Sequence, residues 1–223
     1  DVTALTQAGI NASQGASVVQ VADGGLARIG DVLQRMKALA AQSLSGVPTD
    51  TERAFIDAEY QELVAEVSDI ATTTRFNGDS LLDGSAATAD YFVGTDVSDT
   101  ITVDFQALAT GQTGFTAGAL SLSTVAVSTA ASAEMAMSLV DAAIDVISEA
   151  RATAGALISR FEFRSQQIAT SLENIDAAKS AIMDVDLAAE QSKLVSSQVL
   201  VQAAVSAVSQ ANQIPQSLLR VLQ

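Results

Sequence analysis

The sequence predicts a mainly α protein: an elongated bundle of long, coiled-coil-like helices with a small β-hairpin region in the middle. Three observations predict this fold class. Apolar residues recur at alternating spacings of three and four positions over both ends of the chain. Only two of the 223 residues are proline, so little interrupts a long helix. Between the two ends, a short stretch rich in Gly, Thr and Asp changes to the alternating period of β-strands.

The first predicted helix runs from about Asn11 to Ser43. Its apolar seam has the spacing 4-3-4-3-4-3 and consists of Val18, Ala22, Gly25, Ile29, Val32, Met36 and Leu39. This spacing places the seam along one side of a helix. Residues 45–48, with the sequence Ser-Gly-Val-Pro, are predicted to end the helix and to form a turn.

The second predicted helix begins at a capping box, in which Thr49 is the N-cap and Glu52 reaches back to it. Its seam repeats the spacing 4-3-4-3 and consists of Ile56, Tyr60, Leu63, Val67 and Ile70. The helix is predicted to end near Thr74. Two helices joined by so short a turn form an antiparallel helical hairpin.

The period changes from Phe76 onward. Asn77-Gly78 and Asp83-Gly84 are turn signals. Residues 91–94 and 100–105 are predicted to be strands, joined by a hairpin loop from Thr95 to Asp99. Residues 111–118 are predicted to be a loop, and residues 120–127 are a candidate for a further short strand.

A long helix is predicted from about Ala130 to Met183. Fourteen positions with alternating spacings of three and four follow one seam, and eleven of them are apolar. They are Met137, Val140, Ile144, Ile147, Arg151, Ala154, Ile158, Phe161, Ser165, Ile168, Leu172, Ile175, Lys179 and Ile182. A seam of this length indicates one helix packed lengthwise on partner helices.

The heptad phase is predicted to slip near Asp184, Val185 and Asp186. The helix beyond, residues 187–213, is apolar with Ser and Gln and is nearly uncharged. Such a helix is unlike a solvated surface helix, and we expect a partner to bury it. The sequence thus divides into a helix hairpin at 1–84, a β-hairpin and loop region at 85–127, a long helix at 128–183 and a terminal helix at 184–223.

Charge and composition exclude several classes of function. The chain has 11 basic and 26 acidic residues and a formal net charge of −15, which opposes binding to nucleic acids and to anionic lipids. It has no Cys and no His, which removes thiol nucleophiles, His-based acid–base catalysis and the usual zinc sites. No 18-residue run is uninterrupted and apolar, so no membrane span is expected. We expect no catalytic site, cofactor or metal.

Three groups of carboxylates are interpreted as solvated surface charges. They are Asp184, Asp186 and Glu190; Asp96, Asp99 and Asp104; and Glu59, Glu62 and Glu66. A Ca²⁺ site needs about six or more oxygen ligands, and paired carboxylates for acid–base work need a cleft. The sequence indicates neither arrangement.

Four motifs, in order along the chain, resemble those of the bacterial flagellin family. Residues 33–43, Leu-Gln-Arg-Met-Lys-Ala-Leu-Ala-Ala-Gln-Ser, resemble the signature LQRMRELAVQ, and residues 76–84 resemble FNGxxLLDG. Residues 184–190 are similar to DADYAAE, and residues 211–218 are similar to ANQxPQxVL. Only residues 85–130 lie outside the span of these motifs.

The resemblance implies an extracellular structural subunit of the bacterial flagellum that self-assembles into a filament for motility. In that family the two chain ends pair as a helical bundle that lines the tube, and a rod domain with a β-hairpin lies outside it. On this expectation, assembly orders and buries the terminal helix. The valines expected to become buried are Val195, Val199, Val201, Val205 and Val208.

The resemblance also implies partners and departures. An export chaperone and a cap protein are implied, as is the Toll-like receptor that senses flagellins; the matching receptor positions are Arg35, Leu39 and Glu59. Ala38 stands where the family often has Glu. Because the chain starts at Asp1 within a helical pattern, it is expected to be an N-terminally truncated piece that lacks the family's first segment. The large outer domains between the two halves are expected to be reduced.

Two alternatives to a filament subunit stay open. A hook–filament junction protein shares the fold and chain order, although the complete motifs at 33–43 and 76–84 favour flagellin. A cell-surface homologue that captures an extracellular polysaccharide or another ligand would expose Thr95 to Asp99 and residues 111–118. Few aromatic residues and the charge of −15 argue against it. An enzyme has no support, and the metalloprotease insert of some relatives is excluded because the chain has no His.

Overall fold

The computed structural model describes residues 2–86, 88–106, 108–109, 111–183 and 187–221, with the side-chain surroundings of 183, 187–188 and 213–221 left aside. Within these residues the elements are α1 (Val2–Leu44), α2 (Asp50–Thr73), β1 (Arg75–Phe76), β2 (Asp79–Ser80), β3 (Ala89–Phe92), β4 (Thr100–Val103), α3 (Ala130–Met183) and α4 (Leu187–Val221). Long helices with a small two-hairpin region confirm the predicted fold class. Contacts divide the chain into two compact units, Asp1–Glu173 (unit 1) and Asn174–Gln223 (unit 2), which we describe separately. The four-segment division of the sequence stays a prediction.

Hydrogen bonds stabilise the turn between α1 and α2 both at the end of α1 and at the start of α2. The predicted capping box is present: the Glu52 backbone N donates to Thr49 Oγ1 at 3.4 Å, and the Thr49 backbone N donates to Glu52 Oε2 at 2.7 Å. Arg53 donates from Nε to the Ser43 carbonyl at 2.9 Å and from Nη2 to the Ser45 carbonyl at 3.0 Å. The guanidinium therefore satisfies carbonyls that the end of α1 leaves without a helical partner.

The predicted seams of α1 and α2 are buried, with small shifts in phase. In α1, Val32 is half-buried and its neighbour Leu33 is fully buried. In α2, Leu63 and Ile70 are half-buried while the residues that follow them, Val64 and Ala71, are buried. The shifts arise because a straight α-helix has 3.6 residues per turn and drifts against a strict 3.5-residue repeat. The helix α1 also begins earlier than predicted, since Leu5, Ala8 and Ala12 continue its buried side.

Within unit 1, α3 runs antiparallel to α1. Lys37 Nζ lies 2.5 Å from Asp141 Oδ1, and Arg151 Nε lies 3.0 Å from Asp23 Oδ1, so rising numbers on one helix meet falling numbers on the other. Of the predicted heptad seam of α3, Val140, Ile147, Ala154, Phe161 and Ile168 are buried, whereas Arg151 and Lys179 are exposed. Four alanines outside the predicted seam are also buried: Ala133, Ala136, Ala143 and Ala150. Gly15 admits the fully buried Phe161 ring, because a Cβ at this position would lie 2.6 Å from it.

The predicted hairpin is present as β3 and β4. Its antiparallel register pairs Ala89 with Val103 and Phe92 with Thr100, so β3 begins two residues earlier than predicted. The second strand alternates as predicted, with Ile101 and Val103 buried between exposed threonines. Asn11 Nδ2 donates to the Phe92 carbonyl at 2.9 Å, which fixes the hairpin to α1. The turn signal at 77–78 forms a second, two-residue hairpin of β1 and β2, with φ of 53° at 77 and 97° at 78.

The candidate strand at 120–127 was wrong. The Leu122 backbone N donates to the Ala117 carbonyl at 2.8 Å within a turn, and the following residues bind helix side chains. Val127 N donates to Asp57 Oδ1 at 2.7 Å, and Gln61 Nε2 donates to the Val125 carbonyl at 3.0 Å. Alternate apolar residues are buried because the segment lies against α2, where no neighbouring strand pairs with it.

The loop at 111–118, expected to be exposed, is partly buried. Phe115 is fully buried and Ala117 is 2 % exposed, and the Phe115 backbone N donates to the Leu82 carbonyl at 2.7 Å. Gly84 and Gly114 pack backbone against backbone with positive φ, so neither position has room for a side chain. The segment is therefore part of the core of unit 1.

Unit 2 contains the end of α3 and the helix α4. Every described side chain of α4 from residue 189 to residue 212 is exposed. The predicted phase slip at residues 184–186 lies outside the described residues. In the part of the chain described here, Ala189–Asn212, 24 residues, is long and apolar enough to cross a membrane, although length and composition alone are weak evidence for a span.

Candidate functional site

The valines predicted to form the assembly surface all lie exposed on α4. Their exposed fractions are 55 % for Val195, 60 % for Val199, 64 % for Val201, 64 % for Val205 and 60 % for Val208. The positions i and i+4, and i, i+4 and i+7, fall on the same side of a helix. The five valines therefore form two apolar stripes, one of residues 195 and 199 and one of residues 201, 205 and 208.

Few charged side chains lie near these stripes. Glu190 and Lys193 form an exposed ion pair with 3.4 Å between Oε2 and Nζ, and residues 194–212 contain no charged side chain. Leu194 and Leu200 add exposed apolar surface, at 58 % and 67 %. Exposed apolar surface of this extent is typical of binding surfaces.

The three residues of the predicted receptor patch have different surroundings. Arg35 donates from Nε and Nη2 to Glu59 Oε1, at 2.9 and 2.5 Å, and the two side chains are 57 % and 47 % exposed. Leu39 is 2 % exposed, because it belongs to the buried seam of α1. The structure brings Arg35 and Glu59 together on the surface and places Leu39 beneath it.

Phe55 is an exposed aromatic residue that the sequence reading did not single out. Its side chain is 72 % exposed on α2, one turn before Glu59. The helix α2 contains seven acidic residues and one basic residue, and that base, Arg53, is bound to carbonyls at the end of α1. The signal in the sequence was a phenylalanine one position before the α2 seam, where a polar residue is the usual choice.

A small groove lies between α1 and α3. Its volume is about 250 Å³, and residues of both helices line it: Ala27, Gly30, Asp31, Gln34, Ile144, Ile147, Ser148 and Arg151. At Gly30, on the α1 side, a Cβ would lie in ordinary contact with Ile147 at 3.7 Å. Its lining combines apolar residues of both helices with the polar Gln34 and Ser148 and the charged Asp31 and Arg151.

The carboxylates of the β3–β4 loop bind backbone groups of the loop itself. Asp99 Oδ2 accepts from the backbone N of Thr95 and of Asp96, both at 3.2 Å. The Asp96 carboxylate accepts from the backbone N and the hydroxyl of Ser98, which lowers its pKa below the ordinary value. Among the described residues, no group of three or more His, Cys, Asp or Glu is placed to hold a metal ion.

Comparison with known proteins gives similarity over both halves of the chain. The family model for the bacterial flagellin N-terminal helical region matches residues 1–87, and that for the C-terminal helical region matches residues 137–222. A flagellin of Halalkalibacterium halodurans is 32 % identical over 99 % of this chain and 79 % of the relative. A flagellin of Listeria monocytogenes is 34 % identical over 99 % of this chain and 80 % of the relative. The flagellar filament 33 kDa core protein of Treponema phagedenis is 34 % identical over the same shares.

Solved structures give the same result. The crystal structure of Bacillus cereus flagellin is similar with a TM-score of 0.63 and 27 % identity, over 76 % of this chain and 94 % of that chain. The structure of FliC from Burkholderia pseudomallei, at 19 % identity, shares the fold with a TM-score of 0.56 over 66 % of this chain and 99 % of that chain.

Proposed function

Because the chain belongs to the bacterial flagellin family and is a structural subunit of the extracellular flagellar filament, we propose that the valine stripes of α4 are the surface through which its copies assemble. The family assembles into a filament of identical subunits. The observation that supports this assignment is the exposure of five valines, each at 55 % or more, on a helix without charge from 194 to 212.

Burial of the stripes favours assembly. Removing apolar surface from water contributes roughly 25 cal/mol per Å², so covering the exposed part of one valine contributes on the order of 1 kcal/mol. Five valines and two leucines supply several times this per subunit, against the entropy lost when a helix becomes fixed. Two stripes on different sides of α4 let one helix contact more than one neighbour. Contacts that repeat without closing generate a helical filament.

The test is a pair of serine variants on the same helix. In the first, Val201→Ser and Val205→Ser interrupt one stripe; in the control, Gln198→Ser and Gln202→Ser change adjacent polar positions. We expect the control to form filaments and the valine variant to be secreted but to stay in the supernatant after sedimentation. Filaments of normal length from the valine variant, seen by electron microscopy, would overturn the assignment.

We also propose that the chain has no enzymatic activity. It belongs to a family of structural proteins, and it has neither Cys nor His for the commonest nucleophile and acid–base chemistry. Among the described residues, the carboxylate of Asp99 binds loop backbone and that of Glu59 forms a surface ion pair.

Further partners are proposals that rest on particular surfaces. An export chaperone would cover the α4 stripes before assembly, and a cap protein would receive the subunit at the filament tip. A Toll-like receptor would contact Arg35 and Glu59, which are exposed, more readily than Leu39, which is buried. Coexpression followed by size-exclusion chromatography tests the chaperone: the Val201→Ser, Val205→Ser variant should lose the complex that the glutamine control keeps.

Polysaccharide capture is a second candidate, favoured by the exposed tip of the β3–β4 hairpin, where Val97 is 89 % exposed. The partial burial of residues 111–118 leaves this hairpin as the accessible part of the surface first considered. Titration of filaments with candidate polysaccharides decides the matter. Saturable binding that Val97→Asp abolishes would support a binding role in addition to assembly.

A further inference from the structure

We infer that Met135, on α3 of unit 1, is a site of oxidation by peroxides, and that the fold tolerates this modification. The reaction converts the thioether of Met135 to a sulfoxide. It takes place on the separate subunit, so it does not depend on assembly through α4. The subunit belongs to an extracellular filament, outside the thiol systems that keep the cytosol reduced.

The chain contains few side chains that compete for a peroxide. It has no Cys, His or Trp, so the thioethers of its four methionines are its only sulfur atoms. Cysteine thiolates, the usual first targets of oxidation in proteins, do not occur in this sequence. Hydrogen peroxide is uncharged, so the net charge of −15 does not repel it from the surface.

Exposure separates the three methionines whose side chains the structure describes. Met135 is 62 % exposed, Met137 is half-buried and Met36 is fully buried. The side chain of Met183 lies outside the described part of the chain. Because a peroxide has to reach the sulfur atom, these exposed fractions predict that Met135 reacts before Met137 and that Met36 reacts last.

Met135 and Met137 are close in sequence but lie on different sides of α3. Two positions rotate by about 200° around an α-helix. Met137 lies one turn from Ala133 and Val140, which are both buried. Met135 lies one turn from Ser138, which is exposed. The two thioethers therefore differ in their access to solvent while they share almost the same local sequence.

The chemical step is the transfer of one oxygen atom to sulfur. A lone pair of the Met135 Sδ attacks one oxygen of hydrogen peroxide, so that the S–O bond forms and the O–O bond breaks. The departing hydroxide takes the proton from the transferred oxygen and leaves as water. Sulfur is oxidised to the sulfoxide and the peroxide is reduced to water, so no further reactant is required.

The start of α3 does not require an apolar side chain at Met135. Thr129 caps the helix: the Ser132 backbone N donates to Thr129 Oγ1 at 3.1 Å, and the Thr129 backbone N donates to Ser132 Oγ at 3.1 Å. A sulfoxide oxygen on the exposed Met135 is solvated by water. On Met36 the same oxygen would lie in the buried seam of α1, where desolvation of a polar group is costly.

A time course of oxidation of the full chain tests the assignment. Monomers from dissociated filaments are treated with hydrogen peroxide, the reaction is stopped at intervals, and tandem mass spectrometry of peptides measures the sulfoxide at each methionine. We expect Met135 to react faster than Met137, and Met36 to react at least about tenfold more slowly than Met135, since reaction there requires the fold to open.

The control is the same time course in urea, where the three rates should become similar because the unfolded chain protects none of the side chains. Equal rates at Met135 and Met36 in the folded chain would overturn the assignment. So would a rate at Met135 below that at Met137.

A second measurement tests whether the fold tolerates the modification. Met135→Gln places a polar side chain of similar length at the exposed position, and Met36→Gln is the matched change in the buried seam of α1. In thermal unfolding followed by circular dichroism, we expect Met135→Gln to keep the midpoint of the unmodified chain and Met36→Gln to lower it. Wild-type chain oxidised at Met135 alone should also keep its midpoint. A midpoint lowered by oxidation at Met135 would show that the modification damages unit 1, and the inferred tolerance would then fail.

Discussion

The same apolar spacing has opposite outcomes in α1 and in α4. In α1, Val18 is 4 % exposed and Val19 is fully buried within unit 1, where Val18 borders residues 75–81 and Tyr91. In α4, Val201 and Val205 are both 64 % exposed. An apolar seam specifies that a helix requires a partner, but it does not specify whether that partner belongs to the same chain. The difference separates the folding of unit 1 from the assembly that we propose for α4.

The largest expected effect comes from removing a buried ring in unit 1. Phe161→Ala should lower the free energy of unfolding by about 3–5 kcal/mol, since a fully buried aromatic side chain is replaced by a cavity. Val205→Ala on α4 should change monomer stability by less than about 0.5 kcal/mol because its side chain is already in water.

Urea denaturation followed by circular dichroism measures both variants. If Val205→Ala destabilises the monomer as much as Phe161→Ala does, the contrast between unit 1 and α4 fails, because α4 would then be part of the folded core.

A smaller effect is expected where α1 approaches α3 most closely. Gly15→Ala would place a Cβ 2.6 Å from the Phe161 ring, whereas Gly24→Ala on the same helix meets nothing within 4 Å. Both substitutions gain helix propensity, so their difference isolates the overpacking, about 1–3 kcal/mol. Gly24→Ala should raise the thermal unfolding midpoint and Gly15→Ala should lower it. Equal shifts would show that the ring moves aside at no cost.

Tyr60 offers a test of the buried side of α2. Its hydroxyl is the one buried side-chain polar atom without a hydrogen-bond partner among the described residues, and burial, followed by the nearby Asp57 charge, raises its pKa to about 12. Tyr60→Phe should therefore stabilise unit 1 by about 1 kcal/mol at neutral pH, since it removes a desolvated hydroxyl.

The raised pKa of Tyr60 also predicts a pH dependence. The unfolded chain releases this proton near the ordinary value of 10 and the folded chain near 12, so the folded state holds more protons between them. The contribution of Tyr60 to the free energy of unfolding is fully present below pH 10 and is lost as the pH rises toward 12. Denaturation at pH 8, 10 and 11 should show a smaller decline for Tyr60→Phe. A decline of equal size in both proteins would assign it to other groups, such as Tyr91, whose pKa burial also raises.

The helices could be predicted closely because their signals are local. The limits of α3, the capping box at Thr49 and the alternation in β4 follow from period and side-chain chemistry within a few residues. The segment at 120–127 could not be predicted, since its alternation reflects burial against α2 and its hydrogen bonds go to Asp57 and Gln61, some 60 to 70 positions away.

The candidate site was predictable in part. The sequence predicted an assembly role for the α4 valines because an uncharged apolar helix is unusual in solvent, and that role stays a prediction. Phe55 was missed since one exposed aromatic residue leaves no periodic signal, and the groove was missed since it needs α1 and α3 in their folded positions. Leu39 and Arg35 were placed in one receptor patch by resemblance to the family. A resemblance between sequences does not show that Leu39 is 2 % exposed and the Arg35 side chain 57 % exposed.

The smallest expected change in stability comes from breaking the surface ion pair between Arg35 and Glu59. Arg35→Ala should lower stability by less than about 1 kcal/mol, because its ion pair with Glu59 is about half exposed and gains little over water. Leu39→Ala should cost about 2–5 kcal/mol, since it leaves a cavity in the α1 seam. Loss of receptor signalling in a reporter-cell assay is therefore informative for Arg35→Ala, with Arg28→Ala as the exposed control on the same helix, and ambiguous for Leu39→Ala. A destabilisation of Arg35→Ala equal to that of Leu39→Ala would show that the pair supports the core of unit 1.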